Sequence, residues 1–264
     1  DQRWTAYLTG VLAFSLASIL AVIGLIQLQA HLPLSNGMGP MSFHQALNTA
    51  ISFTTNTNWQ SYSGEAAVGH LAQMAALATQ NFVSAAVGIA VVAALIRGFT
   101  RERTGRLGNF WVDLVRGTIR VLLPGAAIAA LVLVLGGVVQ NLASPHEITT
   151  LGGAQQQLLG GPVASQEAIK ELGTNGGGFF NANSAHPLEN PNPFTNLFEN
   201  ALLLVIPFAL VSAFGVMVGN RRQARTISLV MATILGLMVL ATTVSELAHP
   251  GTASQLAGAA MEGK

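Results

Sequence analysis

The sequence has 264 residues, of which 51% are hydrophobic and only 9% are charged, and its formal net charge at neutral pH is +1. An average soluble domain carries about 25% charged residues, so this chain has too few charges to cover a water-soluble globule of its size. The small net charge argues against a nucleic-acid-binding protein, which needs a basic stripe. Because the sequence contains no cysteine, disulfides, thiolate metal sites and cysteine nucleophiles are excluded. We therefore expect the lipid bilayer to be its environment.

Both ends of the sequence are typical of a segment from a longer chain. The first residue is Asp1 rather than a methionine, no signal peptide follows it, and the last three residues are the polar Glu262, Gly263 and Lys264. We expect the sequence to be part of a longer membrane protein.

Five apolar stretches are each long enough to cross a bilayer, which takes about 20 residues in a helix. They predict membrane helices over 5–30, 71–97, 111–140, 197–219 and 226–247. Basic residues cluster between the second and third stretches and between the fourth and fifth: Arg97, Arg101, Arg103, Arg106, Arg221, Arg222 and Arg225. Since basic loops stay in the cytoplasm, we expect Arg3 and both clusters inside and the segments 31–70 and 141–196 outside.

The outer segments carry more acidic than basic side chains. Their charged residues are Glu65, Glu147, Glu167, Glu171, Glu189 and Lys170. Such a face attracts cations and repels anions. Five carboxylates over two long segments are also what ordinary solvated loops contain, and the sequence leaves both interpretations open.

Each outer segment contains a helix that is too short to span a membrane. The first is predicted over 43–53, after the start signals Pro40 and Ser42. The second is predicted over 164–172, with Ser165 as its N-cap and Glu167 in its first turn.

Both short helices lead into a Thr-Asn pair, Thr55-Asn56 and Thr174-Asn175, and the two pairs lie 119 residues apart. Each half of the chain thus has the order span, short helix, polar segment, span. This order indicates an internal repeat.

The polar segments, TTNTNWQ at 54–60 and GTNGGGFFN at 173–181, indicate an ion-binding site. Irregular backbone occurs at membrane depth only where it is buried in protein or lines a wet cavity. Glycines allow positive φ angles and let successive carbonyl groups face one axis, where rings of carbonyl oxygens replace the hydration shell of K⁺. The negative C-terminal end of each short helix favours a cation. The glycines alone also fit a flexible turn, whereas a nucleotide-binding P-loop is excluded because no Lys-Ser/Thr follows them.

Several stretches closely resemble the potassium-binding A subunit of bacterial Kdp potassium-transporting ATPases. They are SFTTNTNWQSYSGE at 52–65, NFVSAAVGIAVV at 81–92, GPVASQEAIKELGTNGG at 161–177, GTNGGGFFNANSAHPLENP at 173–191 and MEGK at 261–264. The resemblance covers nearly the whole chain.

The resemblance implies an all-α membrane protein of tandem helix–pore-loop–helix repeats, similar to potassium channels and belonging to the superfamily of potassium transporters. The chain would hold a first repeat at 1–106, a second at 107–222 and the first helix of a truncated third repeat at 223–264. The family has four such repeats around one selectivity filter, so two of the four loops that form the filter would then be present. Their residues are Thr55, Asn56, Thr57 and Asn58 in the first, with Gln60 just outside, and Thr174, Asn175, Gly176, Gly177 and Gly178 in the second. Backbone carbonyls are the expected K⁺ ligands, with the side chains of Asn58 and Asn175 as further candidates.

The family also implies partners, which are a P-type ATPase subunit and two small membrane subunits in the bacterial inner membrane. Potassium would be the transported ion, with no organic cofactor and no nucleic acid bound. The sequence contains no catalytic constellation, no Asp-Lys-Thr-Gly phosphorylation motif and no Walker motif, so ATP hydrolysis is expected in another chain. The alternatives are a stand-alone potassium transporter of the Trk/Ktr/HKT kind and a membrane scaffold with degenerate pore loops.

Other residues keep two interpretations each. Trp59, Phe179 and Phe180 could stiffen the loops or form an interfacial aromatic belt. His186 is expected to brace a loop rather than bind a metal. On the third span, Asp113 shares a face with Arg116 and Arg120, which predicts a local ion pair or a docking surface for the ATPase subunit.

Overall fold

The computed structural model describes residues 1–102, 104–180 and 182–248. Its helices are α1 (Trp4–Gln27), α2 (Phe43–Thr54), α3 (Gly64–Ala67), α4 (His70–Thr100), α5 (Phe110–Leu135), α6 (Val163–Leu172), α7 (Pro193–Met217) and α8 (Arg221–Ala248). Its strands are β1 (Gln2–Arg3), β2 (Arg106–Gly108), β3 (His146–Thr149) and β4 (Gln155–Leu158). Of the residues discussed above, Arg103, Asn181 and the stretch 249–264 lie outside the described residues.

Helices α1, α4, α5, α7 and α8 are long and apolar enough to cross a membrane, which confirms the prediction of an all-α membrane protein with five spans. On α1 the exposed leucines Leu8, Leu12, Leu16 and Leu20 follow one another at four-residue spacing. Four-residue spacing places them on one side of the helix. A water-soluble surface does not sustain a continuous apolar stripe of this length, so this side of α1 is suited to an apolar neighbour, either lipid or another protein surface.

Three span boundaries differ from the prediction by four or five residues, namely the end of α5 and the starts of α7 and α8, and local chemistry explains each. Helix α5 ends at Leu135 instead of 140, because Gly137 adopts a left-handed φ of +100° and the N–H of Val138 bonds to the Leu133 carbonyl at 3.0 Å. This is a glycine-type helix stop. Helix α7 begins at Pro193 instead of 197, because the Asn192 side chain accepts the N–H groups of the first turn at 3.1 and 3.2 Å.

The chain divides into two compact units, Asp1–Pro207 and Phe208–Lys264. The first unit contains three apolar clusters. Around α2, the buried face Ala46, Ala50 and Phe53 contacts Val22 and Ile26 of α1. A second cluster joins α1, α4 and α5 through Tyr7, Ala90 and Phe110, and a third packs α6 against α5.

A polar clamp ties α1, α4 and α5 together near the arginine cluster. Arg97 of α4 donates to Asp113 of α5 at 2.5 and 2.9 Å, and the Tyr7 hydroxyl of α1 donates to Asp113 at 3.1 Å and to the Ala90 carbonyl at 2.7 Å. Asp113 is thus paired across helices, with Arg97, and not with Arg116 or Arg120 of its own helix as the sequence suggested. Strands β1 and β2 pair antiparallel with Arg3 opposite Arg106, so Arg3 lies beside this arginine cluster.

The second unit is described as far as Ala248. Here α7 and α8 are joined by a turn at Gly219, whose φ is +70°, and Asn220 accepts the N–H of Gln223 at 3.0 Å to begin α8. An added Cβ at Gly215 would lie 2.3 Å from the Cβ of Ala224. Glycine at 215 therefore allows the two helices to approach closely at this point.

Candidate ion-binding site

The first polar segment begins where α2 stops. Ser42 caps the helix by accepting the N–H of Gln45 at 3.4 Å, as its sequence predicts. At the other end Asn56 adopts a left-handed φ of +63°, and the N–H of Thr57 bonds back to the Ser52 carbonyl at 3.0 Å. This bond from a residue five positions on closes the helix and turns the chain into an irregular segment.

The second polar segment begins in the same way at the end of α6. Thr174 adopts a φ of +55°, and the N–H of Asn175 bonds back five positions to the Lys170 carbonyl at 2.9 Å. The turn geometry therefore matches Asn56 with Thr174 and Thr57 with Asn175, a spacing of 118 residues. The sequence alignment, which matches Thr55-Asn56 with Thr174-Asn175 at a spacing of 119 residues, therefore differs from the structural match by one position.

The start of α6 corrects a detail of the sequence interpretation. The helix begins at Val163, and Pro162 occupies the N-cap position. Ser165 lies inside the first turn, where its hydroxyl donates to the Pro162 carbonyl at 3.1 Å. Its predicted capping role is therefore wrong, since a cap accepts N–H groups of the first turn.

The structure brings the two polar segments into direct contact. The Asn56 amide donates to the carbonyls of Gly173 at 3.2 Å and Thr174 at 3.4 Å, and the Asn175 amide donates to Asn56 Oδ1. Gln60 Oε1 accepts the N–H of Gly178 at 2.9 Å. Residues 118 positions apart thus share one hydrogen-bond network, and both short helices end at this site.

Helix α4 supports the network from one side. Its Ser84 hydroxyl donates to Asn56 Oδ1 at 2.8 Å, and its Asn81 accepts the amide N–H of Asn58 through Oδ1. Asn175 donates to Ser84 Oγ at 3.2 Å and to the Asn81 carbonyl at 3.4 Å. The amide nitrogens of Asn58 and Asn175 are therefore used to position the loops, while their Oδ1 atoms are buried without a hydrogen-bond partner among the described residues.

The three glycines of the second segment have left-handed or near-extended positive φ angles, +84° for Gly176, +63° for Gly177 and +155° for Gly178. An added Cβ at Gly177 would lie 2.2 Å from the Asn58 carbonyl oxygen, and one at Gly176 would lie 3.3 Å from that of Thr57. Carbonyl oxygens of the first segment therefore face the glycine backbone of the second. Glycine is required here for both φ and close approach.

The nine predicted ligand residues differ in exposure. Asn58, Asn175 and Gly178 are buried, Asn56, Thr174, Gly176 and Gly177 are half-buried, and Thr55 and Thr57 are exposed. The hydroxyls of Thr55 and Thr57 lie 3.3 Å apart, and Thr55 also donates to the Ile51 carbonyl at 2.9 Å.

Four of the six outer charges form one largely buried cluster instead of a solvated or open acidic face. Lys170 is fully buried, and around it lie Glu167, Glu171 and Glu189, the first and last of which are also buried. Burial lowers the pKa of Lys170, but the three carboxylates outweigh it and leave the pKa above its usual value. Burial raises the pKa of Glu171, and it raises the pKa of Glu189 to about 7. Of the two remaining outer glutamates, Glu147 is exposed and Glu65 is half-buried.

Aromatic side chains pack behind the second segment. Phe179 and Phe180 are buried, with ring centroids 5.1 Å apart, whereas Trp59 is exposed. The His186 ring stacks on Phe180 at 3.9 Å, and its Nδ1 accepts the N–H of Leu188 at 3.1 Å. Phe179 and Phe180 therefore stiffen the loop, and His186 braces it as expected.

Sequence reasoning missed the buried polar face of α4. Gln73, Gln80, Asn81 and Ser84 are all buried, and their spacing of seven, eight and eleven residues from Gln73 puts them on one helix face. Gln73 Nε2 donates to the Phe179 carbonyl at 3.5 Å. Polar residues at helical spacing in an uncharged span were the available signal.

The site supplies carbonyl oxygens and helix ends, which are groups that attract a cation. The partial negative charge at the ends of α2 and α6 is directed at loops with carbonyl acceptors. Within the part of the chain that the structure describes, no group of three or more His, Asp or Glu side chains is arranged to hold a metal ion. Carbonyl oxygens are the ligand type that suits a dehydrated alkali cation.

Comparison with known proteins identifies the family. Residues 1–264 match the family described as potassium-transporting ATPase A subunit, KdpA. The chain is 60% identical over its whole length to the potassium-transporting ATPase potassium-binding subunit of Streptomyces coelicolor, and 57% and 58% identical to the proteins of the same name from Clavibacter michiganensis and Kineococcus radiotolerans. It covers 48% of the first relative and 47% of the other two, so it spans about half the length of these relatives. The chain belongs to the potassium-transporting ATPase A subunit family.

Proposed function

We propose that this chain is the part of a potassium-uptake subunit that selects K⁺ at two pore loops, residues 55–58 and 174–178. The observation that carries the proposal is the hydrogen-bonded contact between the two loops at the ends of α2 and α6. The names of the relatives, which are potassium-binding subunits, support potassium as the ion.

Selection takes place through backbone carbonyls, which replace the water shell of the entering ion. The Asn58 and Thr57 carbonyl oxygens, which face Gly177 and Gly176, are the ligands with the most direct support. The amide network of Asn56, Asn81 and Asn175 keeps these carbonyls in place.

Two pore loops form half of a four-part ring, so the rest of the subunit supplies the other half. In this proposal residues 1–106 and 107–222 form the first two helix–pore-loop–helix repeats, and 223–264 begins a third. The matching turns at Asn56 and Thr174 support the repeat.

The complex works in the bacterial inner membrane, with a P-type ATPase subunit and two small membrane subunits as partners. The ATPase subunit hydrolyses ATP and so drives uptake through the potassium site. Arg3 and the arginine clusters lie in the cytoplasm, and the pore loops face outside, which agrees with the positive-inside rule.

The test uses the full-length subunit purified with its partners and measures ATPase activity against K⁺ and Na⁺ concentration. Gly176→Asp introduces a carboxylate and a restricted φ at the loop contact, and we expect it to weaken apparent K⁺ affinity or K⁺/Na⁺ discrimination at least about tenfold. Gly153→Asp is the matched control, because Gly153 has the same φ of +84° but lies in the exposed β3–β4 hairpin with no atom within 4 Å of an added Cβ.

If Gly176→Asp leaves affinity and discrimination unchanged, the glycine segment is only a loop and the proposal fails. If the wild-type subunit binds K⁺ but copurifies without an ATPase subunit, the stand-alone transporter of the Trk/Ktr/HKT kind replaces it.

A further inference from the structure

A lysine ammonium group is buried directly behind the second pore loop. Lys170 has no exposed side-chain surface, and its Nζ lies 2.5 Å from Glu167 Oε2, 3.8 Å from Glu171 Oε1 and 4.0 Å from Glu189 Oε1. We name Lys170, Glu167 and Glu189 the buried triad, since all three are at most 1% exposed.

The buried triad contacts the backbone of the loop at three points. An added Cβ at Gly178 would lie 3.0 Å from Lys170 Nζ and 3.0 Å from Glu189 Oε1. Glu189 Oε1 also accepts the N–H of Phe180 at 3.2 Å, and the Lys170 carbonyl accepts the N–H of Asn175 at 2.9 Å. The Glu189 side chain thus holds the Phe180 end of the loop, the Lys170 ammonium group lies against Gly178, and the backbone of Lys170 holds the Asn175 end.

Stability alone does not explain charged residues here. Burying several charges costs desolvation energy that the attraction between them barely offsets, and apolar residues of similar volume often serve stability equally well. What apolar residues cannot supply is a fixed hydrogen-bond acceptor for Phe180 and a charged group against Gly178.

We infer that the side chains of Lys170 and Glu189 are positioning groups that set the ion selectivity of the second pore loop by fixing its backbone at Gly178 and Phe180. This inference rests on the proposed function. Neither side chain is assigned as an ion ligand; both act through the carbonyls of the loop, whose positions and field decide between K⁺ and Na⁺.

The experiment measures K⁺- and Na⁺-stimulated ATPase activity of the full complex carrying Lys170→Met, Lys170→Arg or Glu189→Gln. Outer groups that orient ligands typically affect ion affinity about tenfold to a hundredfold. For Lys170→Met we expect the ratio of Na⁺ to K⁺ half-saturation concentrations to fall by about tenfold or more, with the maximal rate changed less than about threefold. Lys170→Arg keeps the positive charge and is expected to restore much of the discrimination.

Glu189→Gln keeps the side-chain size and an acceptor for the Phe180 N–H, so we expect it to assemble even if Lys170→Met does not. We expect it to lower discrimination less than Lys170→Met does. Asp113→Asn is the matched control, because it breaks a partly buried ion pair with Arg97 that touches neither pore loop. Equal loss of discrimination in Asp113→Asn would overturn the inference, since the effect would then be general destabilisation.

Unchanged discrimination in Glu189→Gln and in assembled Lys170→Met also overturns the inference. Gly176→Asp, measured in the same assay, separates this failure from failure of the proposed function. If Gly176→Asp alters discrimination and the triad variants do not, only the positioning role is wrong.

Discussion

Asn81 joins the two polar segments, one through its side-chain amide and the other through its backbone carbonyl. Its Oδ1 accepts the amide of Asn58, and its backbone carbonyl accepts the amide of Asn175 at 3.4 Å. Because Asn81 is 1% exposed, water cannot replace a lost acceptor. The identity of this residue therefore bears directly on the position of Asn58, whereas its bond to Asn175 is made by the backbone.

We predict that Asn81→Leu, which preserves volume but removes the acceptor, lowers the stability of the full-length subunit by about 1–3 kcal/mol, the cost of a buried donor without a partner. It should also weaken apparent K⁺ affinity, because the Asn58 amide is released. Thermal unfolding in detergent and K⁺ titration of ATPase activity measure the two effects. Asn200→Leu is the control, since Asn200 is exposed on α7 and bonds within its own helix; an equal effect there would contradict the prediction.

At the level of single residues, the sequence predicted which segments meet but not how they are held. Local composition marked 55–58 and 174–178, because glycine and asparagine favour left-handed turns. The partners Asn81 and Ser84 come from α4. Their helical spacing marks a polar face, but no local signal says which loops that face contacts. The two loops match at a spacing of 118 residues in the structure and 119 in the sequence motif. This difference depends on turn geometry, which the Thr-Asn motif does not encode.

At the level of elements, α6 was predicted within one residue at its start, yet its charges were misread as outer-loop charges. Its sequence, VASQEAIKEL, looks like a solvated helix, since four of its ten residues are Glu, Lys or Gln. The charges are buried because α6 packs on α5 and because Glu189, 19 residues further along the chain, closes over Lys170. Only the tertiary fold brings Glu189 to that position.

The raised pKa of Glu189, about 7, makes the stability of this element depend on pH. Burial causes the increase, opposed by Lys170 and by the Phe180 N–H, while Glu167 and Glu65 add to it. The folded state holds the proton more tightly than the unfolded chain, so the stabilisation is complete below about pH 4.5 and is lost as pH rises through about 7.

We therefore predict that the thermal midpoint of the full-length subunit falls between pH 5 and pH 8, and that Glu189→Gln reduces the slope. Some slope remains because burial also raises the pKa of Glu171. The measurement is thermal unfolding in detergent over a series of buffers, with Glu147→Gln, an exposed position, as control. An unchanged slope in Glu189→Gln would show that its proton is not linked to folding.

At the level of the whole molecule, hydropathy was enough to find all five spans. The bilayer imposes this regularity, because every backbone polar group inside it must be paired within a helix. The largest boundary deviations, of four or five residues, occurred where a glycine stop or an asparagine cap intervened, at Gly137, Asn192 and Asn220. The clamp between Arg97 and Asp113 could not be predicted, because Arg116 and Arg120 are nearer to Asp113 in sequence.

The proposed orientation leads to a final prediction about the two ends of the bundle. Gln156 in the β3–β4 hairpin and Thr104 beside β2 are both exposed, and the positive-inside rule assigns them to opposite sides. The sequence has no cysteine, so Gln156→Cys and Thr104→Cys, each in a full-length subunit with any other cysteines replaced by serine, report one side each. A membrane-impermeant maleimide should label Gln156→Cys in intact cells and Thr104→Cys only after permeabilisation. If only Thr104→Cys were labelled in intact cells, the proposed orientation would be inverted and the pore loops would face the cytoplasm. If both positions were labelled in intact cells, they could not lie on opposite sides of the membrane, which would contradict the proposed path of the spans.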